Sequence, residues 1–188
     1  ETSYSEEIEK ILNVEELKLN LIRDFIDGYE TTDGRIIGGL RSPKDAEEIR
    51  GQVSRYLESN PDHPGLLILR AISELFCNDY NKSIVLSTLD AAIKYANEQV
   101  GYSIHNTEFY KMIAWSVIKI GEKDAEIYNE LIEELLERFN DLELAKIIIR
   151  FSENNSNFMI LPVQYIMKSN YKRINQIIRR ENNDRECI

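Results

Sequence analysis

Apolar residues recur at helical spacing along almost the whole chain. Residues 62–77 carry Leu66, Leu67, Ile68, Leu69, Ala71, Ile72, Leu75 and Phe76. At about 100° per residue these positions surround the axis, which predicts a helix buried on most sides. Residues 142–151 repeat the trait with Leu144, Ala145, Ile147, Ile148, Ile149 and Phe151. Neighbouring segments are apolar on one side only, as with Ala46, Ile49, Val53, Tyr56 and Leu57. One-sided helices wrapped around fully buried ones make a layered all-α domain.

Turn and cap residues divide the pattern into elements. Ile8, Ile11 and Leu12 begin a stripe that Val14, Leu17, Leu21, Ile22, Phe25 and Ile26 continue with a shift of phase, predicting a break near Asn13. Residues 27–42 hold Asp27-Gly28, Asp33-Gly34 and Gly38-Gly39, all turn signals. Asp33-Gly34 suits the tight turn of a short hairpin that needs helix support, because a lone ribbon is only marginally stable. Ser42, Pro43 and Asp45 open the next helix as cap, first-turn proline and box-like partner. The link over 60–65 is so short that the helices on either side must run antiparallel.

Further helices are expected over 80–97, with Gly101 beyond the end, and over 106–120, with Asn106 as cap. Gly121 stands where a left-handed C-terminal residue is wanted. Helices over 124–139 and 141–151 follow. A short one from Pro162 to Lys168 and a last one over 171–180, capped by Asn170, complete the set. The sequence therefore predicts an all-α fold of about eight to nine helices stacked as antiparallel hairpins, either an irregular α-solenoid or a single-core bundle. Its organisation reads as an N-terminal helical segment and Gly-rich loop (1–41), a helical-hairpin domain (42–180) and a frayed tail (181–188).

Hairpin starts near residues 43, 80, 124 and 162 lie roughly 40 residues apart, in the range of helix-pair repeats. In helix length and spacing the stretch 42–180 resembles tetratricopeptide- or HEAT-type repeats. The tetratricopeptide consensus is not matched in any hairpin, so the resemblance implies a stacking geometry and transfers no peptide-binding residues.

Composition narrows the function classes. A net charge of −10 disfavours a broad duplex-binding surface, since such binding rests on neutralising phosphates. Cys77 and Cys187 form no framework and read as reduced thiols of a cytoplasmic protein. No apolar stretch approaches the roughly 18 residues a membrane span needs, so no membrane partner is expected. The chain opens on Glu1 rather than Met, which reads as an excised segment of a longer protein.

Candidate chemistry is sparse. Asp24, Asp27, Glu30 and Asp33 crowd the first loop, but their spacing is not that of a calcium loop and reads as a solvated turn. Arg35 and Arg41 bracket glycines whose backbone N–H groups would suit an anion, without the lysine of a phosphate-binding loop. His63 belongs to a helix start, and His105 has no ligand partner at metal spacing. No nucleophile–base arrangement appears, so the segment reads as non-catalytic, with no cofactor and no metal. Two charged faces remain. Glu126, Glu130, Glu133, Glu134 and Glu137 fall opposite the apolar side of their helix, a docking face for a basic partner. Lys172, Arg173, Arg179 and Arg180 line one side of the last helix, while Tyr171, Ile174, Ile177 and Ile178 line the other and would close the core. The leading expectation is a protein-interaction or regulatory module within a larger protein. The rival is an accessory domain of a nucleic-acid motor, such as a helicase-like ATPase, touching nucleic acid through Arg35, Arg41 and the basic side of the last helix.

Overall fold

A computed structural model describes residues 4–15, 17–98, 107–139, 142–152 and 155–186. The expectations for Gly101, His105, Asn106, Asp141 and Cys187 lie outside the described residues. The fold is all-α. Its elements are α1 (Ser5–Asn13), α2 (Leu19–Asp27), a ribbon of β1 (Tyr29–Glu30) and β2 (Ile36–Ile37), α3 (Pro43–Ser59), α4 (Pro64–Phe76), α5 (Lys82–Glu98), α6 (Thr107–Lys123), α7 (Ala125–Phe139), α8 (Leu142–Phe151), a 3-10 turn (Ser156–Met159) and α9 (Ile160–Glu186). The break near Asn13 is there. So is the ribbon, with Tyr29 opposite Ile37 and Glu30 opposite Ile36 in antiparallel register.

Local chemistry explains the boundaries. The Ser42 hydroxyl accepts the Asp45 N–H at 3.2 Å, and Pro43 occupies the first turn of α3. His63 caps α4, its Nδ1 accepting the Leu66 N–H at 3.3 Å. Asp124 caps α7 through the N–H groups of Glu126 and Ile127. Gly39 supports the ribbon by close approach: a Cβ there would lie 2.8 Å from the Gly28 backbone nitrogen, and its φ of 85° suits only glycine.

The buried side chains form one connected core from α1 to the 3-10 turn. α4 lies at its centre as expected. From Pro64 to Leu75 only Arg70 keeps more than slight exposure. α3 and α5 pack along α4, with α1, α2 and α6 also against it. The second enclosed helix is α6 and not α8, a correction to the sequence reading. Between Tyr110 and Gly121 only Lys111, Trp115 and Lys119 keep partial exposure. α8 buries Leu144, Ala145, Ile147 and Ile148 but exposes Glu143, Lys146 and Arg150. Those three polar residues lie within about 60° of arc, so α8 is one-sided.

Two further expectations are overturned. Gly121 does not end a helix in the left-handed region. It sits inside α6, and what demands glycine is proximity: a Cβ would come within 2.9 Å of both the Phe158 ring and Tyr128 Cβ. The two short C-terminal helices are one. α9 runs unbroken through Asn170 and continues to Glu186, because residues 163–186 contain neither glycine nor proline to stop it.

Leu69→Ala, at a site with no exposure, should cost roughly 2–5 kcal/mol in denaturant unfolding. Gly121→Ala tests the close approach by its sign. In an open helix interior the change gains about 1 kcal/mol. Here overpacking should cost roughly 1–3 kcal/mol instead, and a stabilised variant would show that the 3-10 turn can retreat.

Candidate interaction surface

The charged and apolar faces singled out in the sequence converge on α7 and α9. α7 is amphipathic as expected. Ile127, Tyr128, Leu131, Ile132, Leu135 and Leu136 are buried, whereas Glu126, Glu130, Glu133, Glu134 and Glu137 are exposed. Glu126 is engaged at one end of this face, 2.6 Å from Lys82 Nζ. Lys82 also reaches Asp124 at 3.3 Å. Glu133 and Glu137 border a groove of about 470 Å³ whose opposite wall is α9, through Leu161, Tyr165, Lys168 and Lys172. The acidic face is thus partly matched by basic side chains of the same chain.

The start of α9 is anchored by aromatic packing. The Tyr128 hydroxyl donates to the Phe158 carbonyl, and the two rings lie 4.6 Å apart. Burial pushes the Tyr128 phenol well above its usual pKa, so it remains a donor. Pro162 is buried beside this anchor, and Leu161, Tyr165 and Ile166 pack against the core. These residues define the inner side of the helix. Beyond Ser169 every residue to Glu186 is exposed except the half-buried Asn175.

This geometry overturns the expectation that Tyr171, Ile174, Ile177 and Ile178 close the core. They are 67, 55, 52 and 49% exposed. With Ile160, Val163 and Met167, exposed at 52, 39 and 65%, they form a continuous apolar stripe on the side of α9 that faces away from the domain. Positions 160, 163, 167, 171, 174 and 178 fall within about 80° of arc and span about 27 Å of helix. The basic residues lie on other sides. Lys172 lines the groove to α7, and Arg173, Arg179 and Arg180 are exposed well away from the stripe. The outer residues Ile160, Val163 and Met167 were missed because the sequence reading split α9 at Asn170. Their spacing of three and four would have joined them to Tyr171.

The remaining candidates have structural partners. Arg41 donates to the carbonyls of Gly38 and Ile36, closing the base of the ribbon. Arg35 lies 3.1 Å from Asp33, both exposed. Asp27 pairs with Lys119. Among the described residues no three His, Cys, Asp or Glu side chains converge as metal ligands, and no helix is long and apolar enough to cross a membrane. The Cys77 thiol is buried and donates to the Ser73 carbonyl at 3.2 Å. One cluster escaped the sequence reading. Glu74, 2% exposed, receives Arg70 at 2.7 Å, Arg50 at 3.2 Å and the Asn81 N–H at 3.1 Å. The signal was the Arg70–Glu74 pair four residues apart in an otherwise apolar helix. Comparison with protein-family models, with curated proteins and with solved structures returns no match for this chain.

Two titrations follow. Burial opposes the Glu74 charge, yet Arg70, the Asn81 N–H and Arg50 hold the carboxyl below its usual pKa. Its stabilisation is present above the unfolded carboxyl value of about 4.3 and is lost as pH falls through the lower folded value. Glu74→Gln should cost roughly 3 kcal/mol at pH 7, and the gap to the wild type should close toward pH 3. Burial pushes His63 below its usual pKa. The unfolded chain then binds more protons below about pH 6.5, and stability falls as the pH drops from there toward the folded value. Replacing His63 with Asn, a cap that does not titrate, should flatten the decline in unfolding midpoint between pH 8 and 5.5.

Proposed function

We propose that this chain is a non-catalytic helical interaction module whose docking element is the outer side of α9. The observation that carries this reading is the apolar stripe from Ile160 to Ile178, turned away from the chain's own core. Large apolar residues scattered singly over a surface need no explanation, but a contiguous patch of several hundred Å² marks an interaction site. Six such residues in register on one helix are a patch of that kind. Three groups with catalytic potential are otherwise engaged: His63 caps a helix, the Cys77 thiol is buried, and Glu74 is enclosed by two arginines. The acidic face of α7 borders the docking element and would steer basic partners toward it.

The reading of an accessory domain of a nucleic-acid motor rests on the same helix, through the exposed Lys172, Arg173, Arg179 and Arg180. Against it stand the chain's net charge of −10 and the acidic wall of Glu133 and Glu137 beside Lys172. Fluorescence anisotropy with short single- and double-stranded DNA and RNA decides between them. An interaction module should show no binding even at low salt, because a polyanion is repelled by the acidic surface. Salt-sensitive binding, with a log–log slope of roughly −0.7 per contact for single strands, abolished by charge reversal at Arg173 and Arg180, would overturn the reading.

A further inference from the structure

We infer that the occupant of the α9 stripe is a second copy of this chain, paired antiparallel along α9 in a two-fold symmetric dimer. The inference rests on the reading of α9 as a docking element and adds its partner. Three observations carry it.

The first is area. The stripe residues Ile160, Val163, Met167, Tyr171, Ile174 and Ile178 are 52, 39, 65, 67, 55 and 49% exposed. At about 100 Å² each, with Ile177 at the edge, they offer roughly 700 Å² per copy, close to the roughly 800 Å² per partner of a standard interface. One self-complementary helix face therefore suffices.

The second is charge placement. The stripe is flanked by uncharged Gln164, Asn170 and Asn175, so pairing about its middle buries no charge there. An antiparallel pair centred near Ser169 lays the two stripes over each other along their full length. It also sets the two acidic domains, each packed on the first part of α9, toward opposite ends of the pair, whereas a parallel pair would set them at the same end. Lys172, Arg173, Arg179 and Arg180 lie off the stripe and stay in water in either case.

The third is steric. The domain packs on the inner side of α9 through Leu161, Pro162, Tyr165 and Ile166, opposite the stripe. Two copies joined by their outer sides carry their domains on the far faces of the helix pair. The contact is isologous and closes on itself, so it yields a dimer and no longer assembly. It also gives a partner to the residues of α9 beyond Ser169, a stretch of helix that would be marginal in water by itself.

The test is sedimentation equilibrium of the full chain, 22.0 kDa as a monomer, at micromolar concentration and physiological salt. The wild type should have twice the monomer mass. Tyr171→Glu with Ile174→Glu, both on the exposed stripe, should be monomeric with unchanged helix content, the dissociation constant rising at least a hundredfold. A dimer unaffected by the stripe substitutions overturns the α9 pairing. A monomeric wild type also overturns it, and a second readout then separates the two readings. If that monomer binds a hydrophobic dye and the double variant does not, the docking element stands and its occupant is a different protein. If neither binds, the interaction reading falls as well. Binding of the monomer to vesicles of mixed neutral and anionic lipid, lost in the double variant, would give the stripe to a membrane surface instead.

Discussion

α4 has no side that tolerates water, and the arrangement of the other helices follows from that. Ten residues from Leu66 to Leu75 present Leu66, Leu67, Ile68, Leu69, Ala71, Ile72 and Leu75 around the whole circumference. Each large side chain left exposed would forfeit roughly 1.5–3 kcal/mol, so α3, α5, α1, α2 and α6 gather about it. A helix enclosed in this way can hold a charge only if the charge is paired. Glu74 is, and its partners tie three segments together: Arg50 comes from α3, Arg70 from α4 itself, and the Asn81 N–H from the link into α5. Such a cluster contributes little net stability compared with an apolar replacement. It does fix where α3 and the start of α5 sit against α4.

The same enclosure is transmitted to α9. α6 packs on α4 along one side and on α7 and α8 along others. Where α6 meets α7, Gly121 lets the Tyr128 and Phe158 rings approach. The hydroxyl of Tyr128 then holds the 3-10 turn by its Phe158 carbonyl, which sets the direction in which α9 leaves. With Pro162 against the core, the inner side of α9 is determined, and the stripe of Ile160 to Ile178 must face outward. The outward turn of the stripe is therefore a consequence of core packing two elements away.

Local signals made much of this legible in the sequence. The Ser42–Pro43 cap, the ribbon turn at Asp33-Gly34 and the all-round apolar pattern of α4 depend on neighbours within one or two turns, and all are present in the structure. Errors arose where the deciding partner is remote. Gly121 looks the same to a sequence reader whether it ends a helix or admits an aromatic ring thirty-odd residues later. The apolar spread of Leu144, Ala145, Ile147, Ile148, Ile149 and Phe151 predicts an enclosed α8, although Glu143, Lys146 and Arg150 share one side. In α6 Lys111, Trp115 and Lys119 dilute the composition while occupying a single narrow stripe, so its enclosure does not stand out in the sequence. For α9 the periodicity identifies an apolar side but not whether it faces inward. The usual assumption that apolar means inside gave the wrong answer, since Leu161, Pro162, Tyr165 and Ile166 provide a second apolar side.

A helix with two apolar sides also has to coexist with a strongly acidic domain. Two chains each carrying −10 repel, and association succeeds only if the acidic surfaces stay apart. At physiological ionic strength the screening length is about 8 Å. Helices with their side chains are about 10–12 Å thick, so domains on the outer faces of a paired α9 are separated by roughly two helix diameters. Over that distance the repulsion would be largely screened, while the proposed contact brings together apolar and uncharged side chains near Ser169. Docking through the Glu126–Glu137 face would instead press like charges together well inside the screening length. In the proposed pairing the acidic surface would work as a filter, keeping copies apart in orientations other than the one that joins the stripes.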